Sequence, residues 1–165
     1  MFRHGPDSPI PEGQTDLFVP LAYFPPDPSY VVPASLGPAA GSAVVQMPTS
    51  TGEVRSMDRV GTLEFVLKGR QMSLGAFVES GSGDVSRLFV PFTDLTSGTE
   101  TYAAGRYLDL DRTPTGIYVI DFNRAYHPYC YYNPRFDCPY PPPANRLPVP
   151  VRAGERMRTR GAPGS

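Results

Sequence analysis

Proline is the residue that most constrains how this chain folds, because each of its 21 prolines lacks a backbone N–H and disrupts a regular helix. Ten prolines fall in residues 1–48 and eight in residues 123–150, whereas residues 49–90 contain none. Long helices are therefore excluded at both ends of the chain. We expect residues 1–48 to form an extended arm with turns that runs across a sheet, and regular strands to begin after it.

The proline-free stretch has the two-residue period of half-buried β-strands. Apolar and polar residues alternate over residues 62–67 and again over residues 72–78. The intervening Lys68-Gly69-Arg70 supplies a glycine where the chain must reverse, so the two runs predict a hairpin. A second reversal over residues 80–84 and a third alternating run over residues 88–92 extend the hairpin to a meander.

Two further strands are predicted over residues 106–110 and 116–121, on either side of a turn. The fold class is therefore all-β and mainly antiparallel: a small barrel or sandwich with little helix and a long Pro/Tyr-rich C-terminal loop. We expect one β-rich domain over residues 1–157. Its parts are the arm (1–48), the meander (49–121) and an aromatic, proline-rich loop segment (122–157), followed by a flexible tail over residues 158–165.

Charge and motifs exclude several common functions. The formal net charge is only −1, so the chain lacks the basic footprint of nucleic-acid binding, and no apolar run is long enough to cross a bilayer. The N-terminus shows no apolar signal-peptide core, which indicates a cytoplasmic protein. No phosphate-binding loop, dinucleotide fingerprint, nucleophile elbow or zinc-protease motif occurs, so we expect neither a cofactor nor a metal.

Tyrosines cluster in the second half of the chain. Eight of the ten lie within residues 102–140, among several arginines. A tyrosine ring is an apolar body with a polar tip, so such a cluster suits either a hydrogen-bonding pocket or simple packing of an irregular loop. Both interpretations stay open.

Cys130 and Cys138 are the only cysteines, and four interpretations compete. A disulfide would close a nine-residue loop and contribute about 2.5 kcal/mol in the chain-entropy model. The pair could also be reduced and structural. A zinc site would need two more ligands, for which His4 and His127 are the only histidines. A nucleophilic Cys130 would need His127 as its base.

Two polar groups stand out as candidate sites. Asp121 and Asn123 end a predicted strand and should point to the same side, either into a site or toward loop amides. Arg106 follows Gly105, which permits a close backbone approach, and its guanidinium could hold a carboxylate or phosphate. An internal pair of Arg106 with Glu100 or Asp121 is equally consistent with the sequence.

Motifs over residues 85–157 resemble the bacterial and archaeal family catalogued as domain of unknown function 1684 (DUF1684). They are Thr-Ser-Gly-Thr-Glu-Thr-Tyr-x-x-Gly-Arg-Tyr (96–107), Asp-Phe-Asn-Arg-Ala-Tyr (121–126), Pro-Tyr-Cys (128–130), Cys-Pro (138–139), Pro-Pro-Pro (141–143), Asn-Arg-Leu (145–147) and Ala-Gly-Glu (153–155). The upstream half fits as well. The resemblance implies no activity, but it draws attention to Glu100, Tyr102, Arg106, Asp121, Asn123, Tyr126, Cys130, Cys138, Asn145, Arg146 and Glu155.

Three functions follow from these residues. The first is a binding module whose Tyr/Pro-rich segment closes a pocket for a small anionic or polar ligand, held by Arg106, Tyr107, Asn123, Asn145 and Arg146. The second is an enzyme at the same place, with Asp121 or Glu100 as base, Tyr102 or Tyr126 as proton donor and Arg106 as stabiliser of negative charge. The third is a structural or interaction domain in which these groups satisfy one another. Oligomeric state and ligand identity are not specified by the sequence.

Overall fold

The structure is a computed structural model that describes residues 22–80 and 86–157, with only the backbone described for residues 38–43. The strands are β1 (Ala22–Tyr23), β2 (Val31–Pro48), β3 (Val54–Leu67), β4 (Arg70–Glu79), β5 (Arg87–Phe92), β6 (Arg106–Asp111), β7 (Ile117–Asp121) and β8 (Glu155–Arg156). Helical structure is limited to the four-residue α1 (Tyr129–Tyr132) and three 3₁₀ turns (Pro28–Tyr30, Phe122–Arg124 and Pro143–Asn145).

Six strands form one sheet in the order β6-β5-β4-β3-β2-β7, and every neighbouring pair is antiparallel. The sheet curls into a nearly closed barrel. The two short strands β1 and β8 pair separately. The predicted all-β, mainly antiparallel class with little helix is therefore confirmed, and of the two predicted shapes the barrel is the one observed.

The central hairpin is confirmed in detail. Leu67 pairs with Arg70, and the two residues between them, Lys68 and Gly69, have φ angles of 53° and 77°. Positive φ at both central residues is the geometry of the tight hairpin turn that matches strand twist. The strands predicted after it are also observed, as β5, β6 and β7. Of the second predicted reversal, residues 81–84 lie outside the described residues.

β2 differs from the sequence prediction of an arm over residues 1–48. Residues 31–48 form an interior strand, paired with β3 along most of its length and with β7 from Val31 to Ser35. Pro38 is tolerated within this strand because it lies next to a break in the β2–β3 register, where the hydrogen-bond ladder is interrupted. Residues 1–21 and the predicted tail, residues 158–165, lie outside the described residues.

The core lies inside the barrel and continues into the C-terminal segment. Alternate residues of β3 and β4 are fully buried, among them Leu63 and Leu74. Phe122, just after β7, packs with its ring centroid 5.6 Å from that of Phe92 on β5. Residues 147, 151 and 153 belong to the same buried cluster. The C-terminal segment is therefore an ordered cover of the barrel, as the sequence predicted for a loop of this length.

Three isolated bridges attach this segment to the sheet. Pro139 pairs with Thr49, Arg146 with Thr93, and Tyr126 with Tyr107. No helix in the described part of the chain is both long and apolar enough to cross a membrane.

Candidate functional site

The guanidinium of Arg106 lies inside the protein, with 1% of its side chain exposed. Its Nη2 donates to Asp94 Oδ2 at 2.8 Å and to the Val151 carbonyl at 2.9 Å. Its Nη1 donates to the carbonyls of Ala153 and Glu155. A buried charge requires pairing and hydrogen bonds, and one carboxylate with three carbonyls meets that condition. Arg106 therefore joins β6 to the C-terminal segment and does not reach the surface.

Local backbone structure holds both members of this ion pair in place. Asp94 Oδ1 accepts the backbone N–H and the hydroxyl of Thr96, which closes a tight turn. Gly105 has a φ of 101°, and a Cβ there would lie 2.5 Å from the Phe92 carbonyl oxygen. The predicted close backbone approach at Gly105 is confirmed.

A second buried polar pair joins His127 to Glu155. His127 Nδ1 lies 3.2 Å from Glu155 Oε2, and both side chains are at most 2% exposed. His127 Nε2 accepts the Tyr102 backbone N–H at 3.3 Å, while the His127 backbone N–H is donated to Glu155 Oε1 at 2.9 Å. Nε2 is thus hydrogen-bonded inside the protein, whereas Nδ1 lies beside Glu155 without a hydrogen bond.

The side-chain amide of Asn145 makes hydrogen bonds to the backbones of β4 and β5 where these two strands do not pair directly. β4 and β5 are paired only at Phe77 and Phe89, so their ladder is short. The Asn145 amide bridges the gap: its Oδ1 accepts the Gly75 N–H at 2.9 Å, and its Nδ2 donates to the carbonyls of Gly75 and Pro91 at 3.0 and 2.7 Å. The side chain is 1% exposed. We refer to Asp94, Arg106, His127, Asn145 and Glu155 as the buried polar set.

Three of the other predicted polar residues lie apart from this set. Asp121 Oδ1 accepts the backbone N–H and the side-chain amide of Asn123 at 3.0 and 2.9 Å. Asn123 in turn exchanges two 2.9 Å hydrogen bonds with the backbone of Asp27, which ties the start of β2 to the end of β7. Glu100 forms an exposed ion pair with Arg152 at 2.9 Å.

Arg146 is exposed, and its backbone forms the bridge to Thr93. Arg106, Asp121 and Glu100, which the enzyme hypothesis combined, are thus engaged by three different sets of partners.

Within the described part of the chain, an open cavity of about 460 Å³ lies between β3, β6 and the C-terminal segment, and we call it the tyrosine pocket. Ring pairs form its walls: Tyr107 and Tyr126 meet edge to face at 5.9 Å, and Tyr129 and Phe136 at 5.3 Å. Tyr107 donates its hydroxyl to the Pro139 carbonyl at 2.6 Å, so this ring is fixed. Its apolar lining comprises Tyr107, Tyr126, Pro128, Tyr129, Phe136 and Pro139.

An ion pair forms one polar edge of the tyrosine pocket. Arg55 Nη2 lies 2.9 Å from Asp137 Oδ2. Hydrogen bonds from Thr49 and Thr51, together with Arg55, lower the pKa of Asp137 to about 2. Asp137 is therefore ionised at neutral pH and neutralises the charge of Arg55.

Asp109 provides a second polar edge. It lies two residues after Tyr107 on β6, and its side chain is exposed. Tyr126 donates its hydroxyl to Asp109 Oδ2 at 2.6 Å, and burial followed by this hydrogen bond raises the pKa of Tyr126. The tyrosine hydroxyl stays protonated, and the Asp109 carboxylate carries the charge.

The two cysteines are free thiols in contact with each other. The Cys130 backbone N–H is donated to Cys138 Sγ at 3.2 Å, and the Cys130 thiol lies within hydrogen-bonding reach of Cys138, Tyr102 and Ser50. Hydrogen bonding from the Cys138 thiol, with a smaller contribution from Tyr102, lowers the pKa of Cys130 to about 7, whereas the pKa of Cys138 is raised. The disulfide stays a prediction.

Sequence reasoning found part of these sites and missed part. It named Tyr107, Tyr126 and Cys138, which line the tyrosine pocket. It missed Asp109, although a position two residues after Tyr107 on a strand faces the same side. It also missed Arg55 and Asp137, which are 82 residues apart and share no local signal.

The described ranges contain no candidate metal site, because no three His, Cys, Asp or Glu side chains come together there as a metal ion would require.

A small antiparallel barrel sealed by an irregular, tyrosine-rich C-terminal segment is the class that this fold and these sites define. The chain belongs to the DUF1684 family, described as proteins of unknown function, whose model matches residues 16–156. It is similar to the uncharacterised protein from gene locus rrnAC0354 of Haloarcula marismortui, known from a solution NMR structure. The two share 39% identity with a TM-score of 0.74, over 92% of this chain and 83% of that one. No curated protein matches the chain.

Proposed function

We propose that this protein is a binding module for a small planar organic molecule that carries a cationic or hydrogen-bond-donating group, held in the tyrosine pocket. The observation that carries the proposal is an aromatic wall beside a carboxylate, that of Asp109, which pairs with a neutral tyrosine hydroxyl rather than with a cation.

The size and lining of the pocket support a small ligand. Its volume of about 460 Å³ falls within the range of about 300–1,000 Å³ usual for small-molecule sites. The edge-to-face ring pairs leave ring faces available for a flat molecule, and the Tyr107 and Tyr126 hydroxyls are already held by protein groups. A ligand therefore meets walls that need little ordering, which lowers the cost of binding.

The charges around the pocket favour a cation or a neutral donor over an anion. Arg55 is paired with Asp137, so these two lining residues sum to zero, and Asp109 leaves a formal charge of −1. The adjoining cavity shares Asp109 and Tyr126 with the tyrosine pocket, and it is also lined by Arg124 and by Arg87, which lies 3.6 Å from Asp111. Aromatic faces attract cations, with about 0.5–1 kcal/mol for each exposed contact.

An anionic ligand, which the sequence also suggested, has weaker support. It relied on Arg106, and that guanidinium is buried among Asp94 and three carbonyls. Arg146, the other arginine invoked for it, is not among the residues that line the tyrosine pocket.

Three probes of nearly the same shape test the proposal: benzamidinium, benzamide and benzoate, which differ in charge. We expect amide chemical-shift changes near Tyr107, Tyr126 and Phe136 that are largest for benzamidinium, smaller for benzamide and smallest for benzoate. A fragment of this size should bind in the range of about 1 mM. Titration of the labelled protein by two-dimensional NMR measures both the site and the affinity.

A matched pair of variants separates charge from shape. Asp109→Asn keeps the shape of the side chain but removes its charge, so it should weaken benzamidinium and leave benzamide nearly unchanged. Asp111→Asn, an exposed carboxylate on the same strand that does not line the tyrosine pocket, is the control. Equal binding of benzoate and benzamidinium, or shift changes that map away from the pocket, would contradict the proposal.

A further inference from the structure

Cys130 and Cys138 form a pair of sulfur atoms at the wall of the tyrosine pocket. Cys138 lines the pocket, and both cysteines pack in one cluster with Tyr107, Tyr102 and Phe136. They come from different parts of the C-terminal segment: Cys130 lies in the short helix α1, and Cys138 lies just before the bridge between Pro139 and Thr49. Their proximity is therefore set by the fold of that segment.

The surroundings of Cys130 suit a thiolate. The Cys138 thiol and, to a smaller extent, the Tyr102 hydroxyl act on its sulfur as hydrogen-bond donors. Of the other ionisable groups nearby, Tyr107 interacts electrostatically with both cysteines, and Arg55 with Cys138. Oxidation of a thiol pair to a disulfide is favoured when hydrogen-bond donors stabilise one sulfur as a thiolate and a second thiol lies beside it.

We propose that Cys130 and Cys138 are a reversible thiol–disulfide pair that a small hydroperoxide oxidises, and that this oxidation alters the wall of the tyrosine pocket. The proposal concerns the thiols themselves and does not depend on which ligand the pocket binds.

The chemistry balances in two steps. The Cys130 thiolate attacks the terminal oxygen of the hydroperoxide, the O–O bond breaks, and a sulfenic acid forms, while hydroxide from hydrogen peroxide, or an alkoxide from an organic hydroperoxide, leaves and takes a proton to become water or an alcohol. The Cys138 thiol then attacks the sulfenic sulfur, the S–O bond breaks, and a disulfide forms as water leaves with the thiol proton. The two thiols lose two electrons, and the peroxide gains them. A dithiol reductant reverses the reaction by exchange.

The geometry permits the S–S bond without a large rearrangement. The Cys130 amide nitrogen lies 3.2 Å from Cys138 Sγ, so the second sulfur is already against the backbone of the first cysteine. The two cysteines are 6% and 5% exposed, which restricts access to reagents the size of a peroxide. Larger disulfides should react more slowly for that reason.

The test treats the folded wild-type protein with hydrogen peroxide, quenches it, alkylates it in denaturant and measures its intact mass. We expect the loss of two hydrogen atoms, no alkylation of either cysteine, and full recovery of two alkylated thiols after dithiothreitol. Peroxide should also change the NMR signals of residues around the tyrosine pocket. Disulfide-linked dimers, or two thiols that alkylate fully after peroxide treatment, would overturn the proposal.

Single substitutions identify the attacking sulfur. In Cys138→Ser, which retains a hydrogen-bond donor, peroxide should leave a sulfenic acid on Cys130 that dimedone traps. In Cys130→Ser, Cys138 should stay unmodified over the same period. Equal dimedone labelling of the two variants would show that Cys130 is not the attacking group.

Tyr102→Phe tests the hydrogen-bond donor without removing the ring. It should move the pH midpoint of the peroxide reaction upward by about one unit, which is a tenfold loss of thiolate below the midpoint. Tyr118→Phe is the matched control, because its hydroxyl accepts from the Thr113 N–H and it lies on β7. An unchanged midpoint in Tyr102→Phe, with both variants still unfolding cooperatively, would contradict the role of Tyr102.

Discussion

The buried polar set and the tyrosine pocket are built from the same C-terminal segment, yet they use polar groups in opposite ways. In the buried polar set, Arg106 has a carboxylate and three carbonyls around it and is 1% exposed. In the tyrosine pocket, Asp109 accepts from one hydroxyl and remains exposed. A charge that is fully paired inside the protein stabilises the fold, whereas an exposed charge that still has hydrogen-bonding positions open can bind a ligand.

The sequence left Arg106 open between a binding group and an internal ion pair with Glu100 or Asp121. In the structure Arg106 is paired internally, with Asp94, and joins β6 to the C-terminal segment. The residues that do line an opening include three tyrosines from the cluster whose sequence pattern left packing and binding both open. The number of partners that each side chain has within the fold separates the two cases.

The largest expected effect comes from Arg106→Met, which preserves bulk but leaves Asp94 buried without its cation. Breaking one side of a buried pair costs about 3–5 kcal/mol, so urea unfolding should show a stability loss of that size. Arg146→Met, at an exposed position, should change stability by less than about 0.5 kcal/mol. Similar losses in the free energy of unfolding for the two variants would show that the buried Arg106 contributes no more to stability than the exposed Arg146.

Asn145→Leu should have the next largest effect. It removes the amide that bridges β4 and β5 and leaves the Gly75 N–H and the Pro91 carbonyl without that partner. Each unsatisfied buried group costs about 1–3 kcal/mol, so we expect a total loss of about 2–6 kcal/mol in urea unfolding. Hydrogen exchange should speed up at Gly75 in particular. A neutral result would mean that the short β4–β5 ladder does not need this bridge.

Tyr129→Ala should affect binding rather than folding. Its ring is 39% exposed, so stability should fall by less than about 1 kcal/mol, while benzamidinium should bind about three- to fivefold more weakly through loss of one ring contact. Ile117→Ala, an exposed apolar residue on β7, is the control and should not change the NMR titration. A large stability loss in Tyr129→Ala would place this ring with the structural groups instead.

The smallest effect is expected from Asp137→Asn and depends on pH. The folded-state pKa of Asp137 is about 2, below its ordinary value of 3.8, so its stabilising contribution is present above the ordinary value and is lost as pH falls toward 2. The wild-type protein should therefore have a slightly higher thermal midpoint than Asp137→Asn near neutral pH, and the difference should vanish near pH 2. A difference that persists in acid would show that the Asp137 charge is not its source.

The strands were predictable because they carry a local signal. Alternation over residues 62–67 and 72–78, with Lys68-Gly69-Arg70 between them, predicted a hairpin that the structure confirms. β2 was harder to predict because its prolines obscure the strand pattern, and its position between β3 and β7 depends on long-range pairing.

The sites were less predictable because their partners come from irregular segments. Asp94 and Arg106 are 12 residues apart, and Arg55 and Asp137 are 82 apart, with no periodicity connecting them. The buried carbonyl acceptors of Arg106 are backbone atoms, which leave no trace in residue identity. Asp109 was also missed, although its spacing from Tyr107 on a predicted strand is a local signal that puts the two residues on the same face.

The order of the groups around Arg106 has a consequence for biosynthesis. Its carbonyl acceptors lie 45 to 49 residues further along the chain, well after the last strand of the six-stranded sheet. On the ribosome, all six strands can emerge while the guanidinium is still hydrated and the end of the barrel is still open. A nascent chain stopped before residue 151 would therefore leave apolar interior surface of the barrel uncovered, which makes such a chain prone to aggregation.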